Sequence, residues 1–238
     1  MDWIAWQLCD SAFPAGGLAH SGGLEAAWQA GAVRSPAELE QWLDAALRQA
    51  AHGAVPLVAA AWDVDASKVP FDSRSQPDSR SLAELDAICD AFLLNHVANR
   101  ASRAQGQALL MACARTFEDV AGVRQVTDEM ARAVRDGPMA GHYPVVFGVI
   151  CKALGLPARR ACEMFLFLAL RGAVSSAVRL GIVGPLQGQK LQRKLVGLAG
   201  ALVDRCIDTP ADDIVQTAPI ADLLQATQDR LYSRLFVS

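Results

Sequence analysis

The sequence has little charge, few histidines and no excess of basic residues. Charged residues make up 20% of its 238 residues, the net charge is −3, and only four histidines occur. A nucleic-acid-binding protein would carry a dense basic surface, and a disordered chain would be far less hydrophobic than the 52% found here. The composition therefore predicts a globular protein with a large core and no nucleic-acid partner, and its high apolar content favours an oligomer.

The sequence also lacks the motifs of common metal sites and enzymes. Its six cysteines are scattered, without a CxxC pair and without a histidine within four residues of any of them. Zinc sites and disulfide frameworks need closer spacing. Walker A, GxGxxG, GxSxG, HExxH and ExxH motifs are all missing. These absences predict no catalytic residues and no metal site, and they favour a protein that acts through partners.

Long hydrophobic runs are missing as well. The longest uncharged apolar stretches, 49–62 and 137–151, reach about 15 residues, whereas a membrane-spanning helix needs about 20. Residues 1–33 contain no lysine or arginine, so the basic start of a secretory signal is not found. We therefore expect no transmembrane segment and a cytoplasmic location.

Helical periodicity dominates what is present. Ser35, Pro36 and Glu38 form a capping box ahead of a segment whose apolar residues recur with helical spacing. A second capping box begins at 81, and its apolar stripe is expected to run as far as His96. Further helices are predicted from about 24 and over 99–117, 127–135, 144–155, 161–170, 187–208 and 219–231.

The fold class predicted from these segments is all-α. We expect a single-domain bundle of about ten helices over residues 1–238, with a polar surface loop at about 63–80. The β-branched residues at 145–150 leave a strand there as an alternative. The segment 161–170 is apolar on all sides, which is typical of a central helix.

Three segments carry candidate functional residues. Residues 10–25 are rich in glycine, and they form either an irregular entry loop or a surface for close approach by a partner, with His20 and Glu25 as its polar groups. Arg171, Ser175 and Arg179 share one helical row, for which structural ion pairing is favoured over catalysis. The C-terminal tail (231–238, LYSRLFVS) either docks on its own domain or orders only against another protein.

Five motifs in order resemble the UreF family of urease accessory proteins almost from end to end. They are DSAFPAGGLAHSGGLE at 10–25, RASRAQGQALL at 100–110, GHYPVVFG at 141–148, SSAVRLGIVGPLQGQKL at 175–191 and LYSRLFVS at 231–238. The resemblance implies a non-enzymatic, all-helical homodimer that bridges UreD (also called UreH) and the GTPase UreG and so enables nickel insertion into apo-urease. It implies no permanently bound cofactor, with nickel handled by the assembled complex and GTP bound by UreG. Direct activation of the UreG GTPase, through Arg179 or Arg234, is the alternative role.

The resemblance also implies partner-binding residues. In the tail, those implied to dock UreD are Tyr232, Ser233, Arg234, Leu235, Phe236 and Ser238. In the glycine-rich segment, the candidates that face a partner or shape the loop are Pro14, Gly16, Gly17, His20, Ser21, Gly23 and Glu25. The remaining candidates, implied either to maintain the fold or to contact UreG, are Gln105, Gly106, Gly141, His142, Pro144, Arg171, Ser176, Arg179 and Gly181.

The sequence departs from the family pattern at two places. Gly22 stands where many members have an aromatic residue, which weakens any packing role there. Gln228 and Asp229 stand where a His-Glu pair often precedes the tail, so a metal-handling role at that position is not expected.

Overall fold

The chain folds into a bundle of α-helices around one hydrophobic core. The computed structural model describes residues 3–64 and 80–238, and within them there are ten α-helices and no strands. The helices are α1 Trp3–Cys9, α2 Leu24–Gln29, α3 Pro36–Asp63, α4 Leu82–Phe92, α5 His96–Thr116, α6 Ala121–Asp136, α7 Tyr143–Ala153, α8 Ala158–Arg179, α9 Pro185–Cys206 and α10 Pro219–Ala226. The all-α prediction is confirmed. Most of the predicted polar loop at 63–80 lies outside the described residues.

Side-chain caps begin three of these helices. The hydroxyl of Ser35 accepts a hydrogen bond from the backbone N–H of Glu38 at the start of α3. Ser81 and Glu84 form the predicted reciprocal capping box of α4. Asn95, which was not predicted as a cap, accepts hydrogen bonds from the backbone of Val97 at the start of α5. These bonds satisfy backbone N–H groups that have no partner within the helix.

Helices α3, α7 and α8 form the centre of the bundle. α3 packs against α7, α8 and α9, and fully buried side chains such as Leu47, Phe147 and Leu166 fill the space between helices. Gly148 lies against the backbone carbonyl oxygen of Val58, so α7 crosses α3 at a distance that admits no side chain. α7 also packs along α5.

Three element predictions differ from the structure, and one open alternative is resolved. The segment 145–150 lies in α7, so the helix predicted over 144–155 is confirmed and the strand alternative is wrong, because helices cover the segment on several sides and Pro144 favours a helix start. α4 ends at Phe92, and His96 begins α5 instead of closing the stripe of α4. α6 begins at Ala121, earlier than the predicted 127. α10 ends at Ala226, and a 3₁₀ turn at Gln228–Arg230 leads into the tail.

One described helix passes a test for membrane spans, by length and composition only, that the uncharged runs of the sequence did not reach. Among the described helices, α8 meets that test by length and composition, although it carries Glu163 and Arg171. Half of its most apolar 18-residue window is buried inside the fold. The core helix of a soluble protein passes the same test, which agrees with the position of α8 between α3 and α9.

Candidate functional site

The glycine-rich loop (10–23) and the C-terminal tail (231–238) lie against each other, although they stand at opposite ends of the chain. The backbone N–H of Val237 donates to the carbonyl oxygen of Ala19 at 2.9 Å, and the N–H of Ser21 donates to the carbonyl oxygen of Ser238 at 2.5 Å. Nδ1 of His20 lies 2.6 Å from Oγ of Ser238. The tail therefore docks on its own domain, which was one of the two predicted alternatives.

A buried carboxylate anchors the tail from beneath. Glu25, in the first turn of α2, is 2% exposed. Its Oε1 accepts a hydrogen bond from the N–H of Leu235 at 2.6 Å, and its Oε2 accepts from the N–H of Phe236 at 3.1 Å. The side-chain amide of Gln228 donates to Oε2 at 2.7 Å. Glu25 is thus an internal anchor and does not lie on the outer surface.

Glycine is required where the loop enters α2. Gly23 has a φ of +86°, a conformation that strains any residue with a Cβ. An added Cβ at Gly23 would also lie 2.8 Å from the Cβ of Gln225 in α10. The close approach lets α10 and the tail reach α2, which brings Gln228 within hydrogen-bonding distance of Glu25.

The tail has an inner and an outer side. Phe236 and Ser238 are buried, and the guanidinium of Arg179 lies 4.3 Å from the centroid of the Phe236 ring. Tyr232 is fully exposed, and Leu235 and Val237 are 51% and 58% exposed. Over 235–238 the side chains therefore alternate between the solvent and the core, as they do along an extended strand, whereas Tyr232, Ser233 and Arg234 are all exposed.

Charged side chains form ion pairs where the last 3₁₀ turn leads into the tail. Asp229 lies 2.9 Å from a guanidinium nitrogen of Arg100 and 3.1 Å from one of Arg234, and His96 lies 3.4 Å away. The hydrogen bond from Arg100 is the main reason why the pKa of Asp229 falls below its ordinary value. The arrangement joins α5, the last 3₁₀ turn and the tail.

The predicted residues of α5 and the 141–144 segment meet inside the fold. Gly106 touches the backbone carbonyl of Gly141, and His142 is fully buried with its Nε2 3.0 Å from Oδ1 of Asp90. Pro144 is buried at the start of α7, and Gln105 is partly buried. Gly106, Gly141, His142 and Pro144 are therefore not exposed to solvent in this chain.

Buried Asp86, which was not predicted as a site residue, binds the backbone of residues 140–142. Its carboxylate accepts hydrogen bonds from the backbone N–H groups of Ala140, Gly141 and His142, at 2.5, 3.1 and 2.7 Å. No local pattern marks Asp86, since its partners lie more than 50 positions along the chain. Arg100, Gln228 and Asp229 were likewise missed as contributors to the tail site, although the first begins the motif at 100–110 and the other two were noted as departures from the family pattern.

Two candidate residues of α8 contact the end of α1 and the glycine-rich loop. A guanidinium N–H of Arg171 donates to the carbonyl oxygen of Cys9, and the hydroxyl of Ser176 lies 3.5 Å from the carbonyl oxygen of His20. Within the described chain, no ion pair is found for Arg171, so the expected ion pairing is replaced there by a backbone contact. Gly181 has a φ of +72° and follows the end of α8.

Burial divides the candidate residues into three groups, of which His20, Gln105 and Arg171 form the partly buried one. Those exposed to solvent are Pro14, Gly16, Gly17, Arg179, Gly181, Tyr232, Ser233, Arg234 and Leu235. Those buried in the chain are Ser21, Gly23, Glu25, Gly106, Gly141, His142, Pro144, Ser176, Phe236 and Ser238. Members of the exposed group are available for direct contact with another protein, and those of the buried group shape the surface that carries them.

A cavity of about 580 Å³ lies behind the glycine-rich loop, with mostly apolar walls from α3, α5, α7 and α8. No group of three or more His, Cys, Asp and Glu side chains that could hold a metal ion occurs in residues 3–64 and 80–238.

Five of the six cysteines are buried as free thiols, and Cys9 is partly buried. Burial raises the pKa of Cys113 and of Cys162 to about 12.

Comparison of the sequence with known proteins identifies the family of this chain. The family model UreF matches residues 33–196, more than half of the chain. Urease accessory protein F of Arabidopsis thaliana is 33% identical over 238 residues, which cover all of this chain and 93% of that protein. Urease accessory protein UreF of Arthrobacter sp. is 31% identical over 98% of this chain and 95% of its own length. The chain therefore belongs to the UreF family.

Proposed function

We propose that this chain is a non-enzymatic accessory protein of urease maturation that bridges UreD and the GTPase UreG. Family membership supports the coarse role, since its relatives are named urease accessory proteins. In this role nickel is cargo that the assembled complex delivers to apo-urease, GTP is bound by UreG, and this chain binds no cofactor of its own.

The observation that carries the proposal is the outer side of the docked tail. Tyr232, Leu235 and Val237 present apolar surface to solvent while the neighbouring Phe236 is fixed in the core. Aromatic and aliphatic side chains on a fixed backbone are typical anchors of protein interfaces. We assign this side of the tail to UreD.

The test is co-elution with purified partners. Size-exclusion chromatography with light scattering is run on the chain alone and after co-expression with UreD and UreG. The full chain is expected to shift into a larger complex, and deletion of 231–238 is expected to leave a folded helical protein that no longer recruits UreD. Equal recovery of UreD by the truncated chain would overturn the assignment of the tail.

Two substitutions sharpen this test without removing the tail. Tyr232→Asp and Leu235→Asp place charge on the outer side and should weaken UreD binding, because a charge buried in an interface loses its hydration. Val215→Asp is the matched control, since Val215 is 48% exposed and lies outside the tail. UreD binding by the control is expected to equal that of the unmodified chain.

We also propose that the chain forms a homodimer. Trp3, Trp6 and Leu186 are 66%, 60% and 81% exposed, and large exposed apolar side chains of this kind support an association surface. Light scattering on the chain alone decides the matter. A mass of one chain at micromolar concentration would contradict the proposal.

Direct activation of the UreG GTPase is the second role implied by the resemblance. An arginine that stabilises the transition state raises GTP hydrolysis by about 10³–10⁵ where such residues are known. Here Arg234 is paired with Asp229, and Arg179 lies over the ring of Phe236, so both would have to leave intramolecular contacts. Single-turnover hydrolysis with Arg179→Ala and Arg234→Ala tests this role, and unchanged rates would rule it out.

A further inference from the structure

We propose that Glu25 sets the register in which the tail is presented to UreD, and that it does so without touching the partner. The inference rests on the proposed function of the tail. In this proposal the buried carboxylate of Glu25 determines which tail side chains face outward.

The hydrogen bonds of Glu25 hold the tail in one register together with the buried ring of Phe236. Oε1 accepts from the N–H of Leu235 and Oε2 accepts from the N–H of Phe236, so the carboxylate fixes two successive peptide groups, and burial of the Phe236 ring distinguishes this pair from its neighbours. Side chains of an extended segment alternate between its two sides, and a slip of one residue exchanges them. With Glu25 in place, Phe236 points inward and Leu235 points outward. A slip by one residue would turn Phe236 toward solvent.

A carboxylate suits this position better than an amide of the same size. Both oxygens of Glu25 act as acceptors, and the N–H groups of the tail and the amide of Gln228 supply the donors. A glutamine would keep one acceptor and turn an NH₂ group toward N–H donors. Since Glu25 is 2% exposed, water cannot readily replace the lost acceptor.

The other tail contacts depend on the same register. Val237 pairs with Ala19 and Ser238 pairs with Ser21 only when the tail lies in the position that Glu25 defines. Phe236 then lies beneath Arg179. Loss of the Glu25 contacts is therefore expected to free the whole segment 231–238 while the helices stay folded.

A freed tail would bind more weakly, because the observed affinity falls in proportion to the fraction of molecules in the competent conformation. We expect Glu25→Gln to weaken UreD binding by roughly tenfold or more for this reason. The substituted residue stays buried beneath the tail, so the loss would not come from a removed interface contact.

The experiment compares Glu25→Gln with Asp86→Asn in the full-length chain. Asp86 is the matched control, since it is also a buried carboxylate that holds successive backbone N–H groups, but those of 140–142 instead of the tail. Hydrogen exchange of the Leu235 and Phe236 amides is measured first, and binding to purified UreD second. Glu25→Gln is expected to speed exchange of these amides by roughly tenfold or more and to weaken binding, whereas Asp86→Asn changes neither.

Unchanged exchange in Glu25→Gln, or unchanged UreD affinity despite faster exchange, would overturn the inference. If Glu25→Gln does not fold, Glu25→Asp replaces it, because the shorter side chain keeps the charge and withdraws both acceptors from the amides of Leu235 and Phe236. Deletion of 231–238 separates the two proposals. UreD binding that survives the deletion overturns the proposed function, while UreD binding lost by the deletion and kept by the Glu25 variant overturns only the role of Glu25.

Discussion

Gly106 in α5 lies directly against the carbonyl oxygen of Gly141, so α5 and the segment just before α7 meet backbone to backbone. No other residue fits at 106, because a Cβ there would also lie 3.0 Å from backbone atoms of His142 and Tyr143. The contact fixes α5 relative to the start of α7, and through α5 it positions Arg100 beneath the tail.

Gly106→Ala should destabilise the fold, because backbone atoms cannot move aside as a flexible side chain can. Overpacking of this kind costs typically about 1–3 kcal/mol of unfolding free energy. Gly197→Ala is the control, since nothing lies within 4 Å of an added Cβ at that position in α9. The unfolding free energy of this control should rise by up to about 1 kcal/mol, because alanine has a higher helix propensity than glycine. Urea denaturation checks both, and equal midpoints would contradict the prediction.

Phe236→Ala should loosen the tail more than it destabilises the helices. Truncation of a buried phenylalanine costs about 3–5 kcal/mol in a rigid core. Here the tail can detach on its own, so the loss of global stability is limited to the free energy of tail docking. Amide exchange in 231–238 should rise sharply while the thermal midpoint changes little. Val237→Ala, at an exposed neighbour, should change neither, and a large fall of the midpoint in Phe236→Ala would show that the tail is part of the cooperative core.

Acid should weaken the contact between His20 and the tail. Burial, followed by the positive charge of Arg100, lowers the pKa of His20, so the folded state favours the neutral ring. The stability that follows is fully present above the unfolded-state pKa of about 6.5 and is lost as the pH falls through the lowered folded-state pKa. Urea midpoints between about pH 7.5 and about pH 5.5 should therefore fall less in His20→Gln than in the unmodified chain. An equal fall of the urea midpoint in His20→Gln and in the unmodified chain would contradict this prediction.

The thiols should react slowly in the folded protein. Burial raises the pKa of Cys113 and Cys162 to about 12 and also raises that of Cys9, and the thiolate is the reactive form. A disulfide exchange reagent at mildly alkaline pH should label the native chain slowly, with Cys9 first, because it is the partly buried one. All six should react at once in denaturant. Rapid native labelling of Cys113 would contradict the burial found here.

Much of the site geometry had no signal in the sequence. The motif at 10–25 marked Glu25 as a candidate, but its partners Leu235 and Phe236 lie 210 and 211 positions away. Asp86 stood in no recognised pattern and Asp229 was noted only as a departure from the family pattern, and both act only because folding brings backbone N–H groups or arginines to them. Hydrogen bonds over such separations leave no periodic trace.

The sequence by itself determined the helical class, the starts of α3 and α4 and the family, because apolar spacing, capping residues and ordered motifs are local features. Only the tertiary structure decided where α4 and α10 end, which candidate residues are buried, and that the tail folds back onto Glu25. These outcomes depend on contacts between distant segments, whose energies exceed the local preferences of the residues involved.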